Sequence, residues 1–112
     1  MKISKVQIAN WRSINDIQIT FQDLMIFIGQ NNHGKSNILN ALLFFFGEIR
    51  HQSLDFKNIA NDLFVEIEFN SLDETDKTTF KKYLTNSGNI VIRKTGYVDG
   101  NFVYQGYTHS PV

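Results

Sequence analysis

The sequence predicts an α/β fold of α+β character, a mixed sheet with a few helices on it, and three observations carry that prediction. Segments toward both ends alternate polar and apolar residues with a period of two, as strands with one wet face do. Ile38, Leu39, Leu42, Leu43 and Phe46 recur at helical spacing. Immediately before that helix stands an unbroken apolar run, Leu24-Met25-Ile26-Phe27-Ile28, followed by two glycines five residues apart.

Taken in order, Ile3 to Ala9 read as a half-exposed strand, with Val6 and Ile8 on one side and Lys5 and Gln7 on the other. A turn at Asn10 to Asn15 leads to Ile17, Ile19 and Phe21 alternating with Asp16, Gln18 and Thr20, so the first two strands form an antiparallel pair. Leu24 to Ile28, with no polar alternation, fit a central strand buried on both faces. The helix that starts near Lys35 stops at Gly47, and its apolar residues, Phe44 and Phe45 included, predict burial almost all round. Residues 50–61 are irregular, with Leu54, Phe56 and Ile59 as anchors. Leu63, Val65, Ile67 and Phe69 then mark another strand. Ser71 and Glu74 have capping-box spacing and open a helix carrying Phe80, Tyr83 and Leu84. Ile90 to Arg93 and Phe102 to Tyr104 form a hairpin around an Asp-Gly turn.

Bulk composition narrows the function classes. A chain of 112 residues, 42% hydrophobic, builds one domain with a real core. Eleven basic residues balance eleven acidic ones, so no global positive field advertises nucleic-acid binding. The absence of cysteine removes disulfides and Cys-based zinc sites, and three scattered histidines suggest no metal cluster. No apolar segment reaches membrane-spanning or signal-peptide length, so the expectation is a cytoplasmic protein with no membrane partner.

The chemistry concentrates at residues 29–37. Gly29, Gln30, Asn31, Asn32, His33, Gly34, Lys35 and Ser36 match G-x-x-x-x-G-K-[ST] in full, between an apolar run and an apolar helix. Glycine lets the backbone turn sharply, so that amides from about Asn32 to Ser36 form a nest for phosphate, and the helix start adds partial positive charge. Lys35 would reach the β- and γ-phosphates, and the Ser36 hydroxyl would ligate magnesium. The expected cofactors are therefore a nucleoside triphosphate and Mg. His33 is expected to face solvent, as are His51 and His109.

Lys5-Val6-Gln7-Ile8-Ala9-Asn10-Trp11-Arg12-Ser13-Ile14, together with Ile28 to Leu42, resembles the N-terminus of RecF/SMC-like ABC ATPases. Within that group, Asn31-Asn32 and Asn37 are most similar to the OLD family of ATP-dependent endonucleases, which includes phage-defence ATPases. The resemblance is clear over about residues 1 to 47 and implies the N-terminal lobe of a P-loop NTPase over 1–112. It also implies a phosphate role for Arg12 and a place near the γ-phosphate for Asn31. Trp11 is expected to pack rather than to stack on a base. Asn32 replaces a glycine common in the wider group, a change the loop tolerates because asparagine accepts left-handed geometry.

What completes such a site is absent. No fully apolar strand ends in an acidic pair, there is no signature loop of the LSGG type, and Glu66 reads as a solvated strand residue. The resemblance therefore implies half of a nucleotide site, with no catalytic residue assignable, in the N-terminal part of a longer protein. A C-terminal lobe, a second head, DNA and a nuclease, in the same chain or a separate subunit, would be its partners. The alternatives are a RecF/SMC-like DNA-repair ATPase, a defence ATPase with a separate nuclease, and a folded module without turnover. A GTPase is disfavoured because N-K-x-D and D-x-x-G are missing.

Overall fold

A computed structural model of the chain describes residues 2–29, 35–81, 85 and 88–106. Its frame is one five-stranded sheet, β1 (Lys2–Trp11), β2 (Ile14–Thr20), β3 (Leu63–Asn70), β4 (Ile90–Gly96) and β5 (Phe102–Gln105), in the order β2-β1-β3-β4-β5. Every pairing is antiparallel, so among the described residues the sheet is not mixed as expected. The register sets Ile8 between Ile17 and Val65, and Val6 between Ile19 and Ile67. Because side chains alternate, one face collects Val6, Ile8, Val65 and Ile67, all fully buried. The other face carries the Lys5–Glu68 and Glu66–Arg93 ion pairs and the Gln7–Asp16 hydrogen bond. Such part-exposed pairs contribute about 0–1 kcal/mol each, so the apolar face holds the sheet.

Among the described residues three α-helices accompany it: α1 (Phe21–Gly29), α2 (Lys35–Phe45) and α3 (Glu74–Thr79). Helix α2 lays Ile38, Ala41, Phe44 and Phe45 into the core, where Phe44 stacks on Trp11 with ring centroids 5.3 Å apart. It ends as the sequence predicts. Gly47 has φ +81°, its N–H donates to the Phe44 carbonyl, and the Glu48 N–H donates to the Leu43 carbonyl, the paired bonds of a Schellman motif. The sheet closes the same end: Lys94 Nζ donates to the Phe44 carbonyl at 2.6 Å and the Tyr104 hydroxyl to the Phe45 carbonyl at 2.7 Å. Lys94 is buried, with the rings of Phe44 and Phe102 each 4.3 Å from its ammonium.

Several expectations need correction. The run Leu24 to Ile28 lies in α1, not in a buried strand; Leu24 is buried, but Met25 and Ile26 are 52% and 61% exposed. An apolar run of that length is ambiguous between strand and helix. Among the described residues it pairs with no strand of the sheet, so the segment satisfies its backbone within the helix, and the Thr20 hydroxyl accepts from the Asp23 N–H. Helix α2 is not buried all round, since Leu43 is exposed, as is Phe46 just beyond its end. Between α2 and β3, Phe56 is an anchor, whereas Leu54 and Ile59 point outward and Asp55 and His51 are buried instead. His51 does not face solvent: its Nε2 meets the Tyr97 carbonyl at 2.8 Å and its ring packs edge-on against Phe44. The cap of α3 is Asp73 with Asp76, not Ser71 with Glu74. His109, Tyr83 and Leu84 lie outside the described residues. No helix among the described residues is long and apolar enough to cross a membrane.

Candidate nucleotide site

The first turn of α2 is where the predicted site residues can be followed. The backbone of Lys35 opens the helix, exposed Ser36 and part-buried Asn37 follow it, and no acidic residue lies in that turn. Gly29 ends α1. Gln30, Asn31, Asn32, His33 and Gly34 lie outside the described residues.

Arg12 arrives there from the sheet. Asn10 and Arg12 both have left-handed backbone, φ +57° and +54°, on either side of the fully buried Trp11. Such conformations are costly for residues other than glycine and persist only where the surroundings hold them. The holding contacts come from residues 52–62. Asn10 Nδ2 donates to the Asn58 and Asn61 carbonyls, both at 2.9 Å, and Asn10 Oδ1 accepts from the Asn58 N–H at 2.8 Å. The Arg12 N–H donates to the Asp55 carbonyl, and Trp11 bridges to Phe56. Arg12 Nε donates to Asp55 Oδ1 at 2.9 Å, while Asp55 Oδ2 accepts from the Gln52 N–H at 2.8 Å. Beyond that pair, Arg12 Nη1 approaches Asn37 Oδ1 at 3.4 Å, and Asn37 Nδ2 donates to Ser13 Oγ at 3.0 Å.

The fold thus brings a guanidinium against a helix N-terminus, an arrangement suited to phosphate oxygens. Of the predicted set, it joins Arg12 to Asn37 and leaves Ser36 open beside them. Trp11 packs in the core, as expected. Sequence reading missed Asp55 and Asn10. Asp55 sits between the apolar residues Leu54 and Phe56 in an irregular stretch, and no periodicity marks it. A concavity of about 440 Å³ lies at the far end of α2, where its buried Lys94 is already committed to the Phe44 carbonyl. Glu66 faces the outer side of the sheet and pairs with Arg93, away from this site.

A family model described as an AAA ATPase domain matches residues 1–94. The chain belongs to this AAA ATPase domain family. The domain is similar to the DNA replication and repair protein RecF of Lactococcus lactis subsp. cremoris (strain MG1363), with 42% identity over 45 residues, 39% of this chain and 12% of that protein. It therefore spans only a small part of the curated relative's length. Among solved structures, one described as "Structural biochemistry of ATP-driven dimerization and DNA stimulated activation of SMC ATPases" is 27% identical with a TM-score of 0.65, covering 93% of this chain and 68% of that one. The SMC head domain from Thermotoga maritima matches with 21% identity and a TM-score of 0.57 over 100% of this chain and 39% of that one, a likeness of fold alone. The AAA ATPase domain thus has the P-loop NTPase fold of SMC heads.

Proposed function

We propose that this chain binds ATP with magnesium at the start of α2, as the N-terminal lobe, over residues 1–112, of a RecF/SMC-type ATPase acting on DNA. The supporting observation is the meeting of Arg12 with Asn37 on the first turn of a helix that follows a complete phosphate-loop sequence. In this reading the loop amides from Asn32 to Ser36 hold the triphosphate, Lys35 and Arg12 neutralise it, and Asn31 lies near the γ-phosphate. The exposed Ser36 hydroxyl suits a magnesium ligand, and no cluster of three or more acidic, His or Cys residues offers an alternative metal site among the described residues. Magnesium would supply charge neutralisation on the phosphate oxygens when bound.

At finer resolution, Asn31-Asn32 and Asn37 favour an OLD-type ATPase coupled to a nuclease, with phage defence as its setting. A RecF/SMC-like repair ATPase is the second reading, favoured by the relatives named above. A partner lobe or second head is supported by the exposed apolar residues Met25, Ile26, Leu43 and Phe46 on α1 and at and just beyond the end of α2.

Calorimetry of ATP-Mg binding to the chain, with and without Lys35→Ala, tests the site. Loss of a charged phosphate contact should weaken binding by at least about tenfold. Equal affinities would reject the assignment.

A further inference from the structure

We infer that Asp55 is the positioning residue for Arg12, aiming the free end of its guanidinium at the start of α2. The inference rests on the nucleotide site proposed above. Asp55 is 8% exposed and both its carboxylate oxygens are fixed, Oδ1 by Arg12 Nε and Oδ2 by the Gln52 N–H. Its carbonyl takes the Arg12 N–H as well, so one residue grips both the backbone and the side chain of Arg12. Carboxylates commonly take the two-pronged end of arginine. Here the carboxylate takes the inner Nε and leaves the terminal nitrogens forward. Among the described residues their only acceptor is Asn37 Oδ1, at 3.4 Å, too long for a strong charged bond. A phosphate oxygen at the first turn of α2 would replace it.

Charge sets two readings of Asp55 against each other. A carboxylate beside Arg12 offsets part of the positive charge an anion would feel, so a purely Coulombic account has Asp55 opposing ATP. Orientation acts the other way, because an arginine already held in place loses less freedom when it binds. Substitution therefore gives opposite signs in the two cases.

The test measures ATP-Mg affinity by calorimetry for the chain and for Asp55→Ala, Asp55→Asn, Arg12→Ala, Lys35→Ala and the Asp55→Ala/Arg12→Ala double variant. Asp55→Ala should weaken binding about tenfold, and Asp55→Asn, whose amide oxygen still accepts from Nε, by less. In the Arg12→Ala background, Asp55→Ala should change affinity by less than about twofold. The Arg12 Nε–H resonance should be protected from exchange in the parent chain and lose that protection in Asp55→Ala. Tighter binding by Asp55→Ala, or losses that simply add, would overturn the inference. If Asp55→Ala does not fold, Asp55→Asn in both backgrounds carries the same comparison. An unchanged affinity in Lys35→Ala defeats the nucleotide site itself, whereas additive losses beside an intact Lys35 effect defeat only the role of Asp55.

Discussion

Asn10 shows how one side chain can fix the geometry of a neighbour's chemistry. It is buried, left-handed, and bonded to the backbone of Asn58 and Asn61, so it pins the loop that carries Asp55 against the end of β1. Asn10→Ala removes these bonds, leaves carbonyls unpaired, and puts a less tolerant residue at positive φ. The expected loss is about 2–4 kcal/mol, read by urea unfolding. The turn itself is legible in the sequence, since polar residues break the alternation at Asn10. Its partners are not, because contacts with residues almost fifty positions away leave no local pattern. The same holds for Asp55 and His51, whose burial no hydrophobic period reveals.

At the level of elements, α2 is the best-read segment because periodicity, glycine stop and helical spacing agree. The run Leu24 to Ile28 is the worst-read, because a continuous apolar stretch carries no period to distinguish a strand from a helix. The C-terminal end of α2 supplies a pH prediction. Burial pushes the Lys94 pKa below the usual 10.5. The unfolded chain therefore holds this proton more tightly than the folded one. Stability contributed by Lys94 is lowest while the ammonium is charged in both states, and it rises with pH between the folded pKa and 10.5. In Lys94→Met that alkaline gain should vanish. Thermal unfolding of the two proteins across the alkaline range checks it, each unit of depression being worth about 1.4 kcal/mol in the difference.

Over the whole molecule, the sheet is one-sided, with apolar residues under α2 and charges outside, and this asymmetry was legible from the alternation in Leu63 to Phe69 and Ile3 to Ala9. What the sequence left obscure was the strand order and the antiparallel character throughout, which depend on pairing between distant segments. The proposed half-site leads to a kinetic expectation. The chain should bind ATP without releasing phosphate above background, since among the described residues no acidic residue lies in the first turn of α2 and Asp55 is committed to Arg12. Measurable turnover by the purified chain, abolished by Lys35→Ala, would refute the half-site.

The two ends of α2 are anchored to opposite margins of the sheet: Arg12, from the β1–β2 hairpin, meets its first turn, while Lys94 and Tyr104, from β4 and β5, fasten its last. A helix of eleven residues is a stiff rod roughly 16 Å long. An anion bound at its head would press on a strut whose tail is tied to the far hairpin, so β4 and β5 are expected to act as a remote gauge of occupancy.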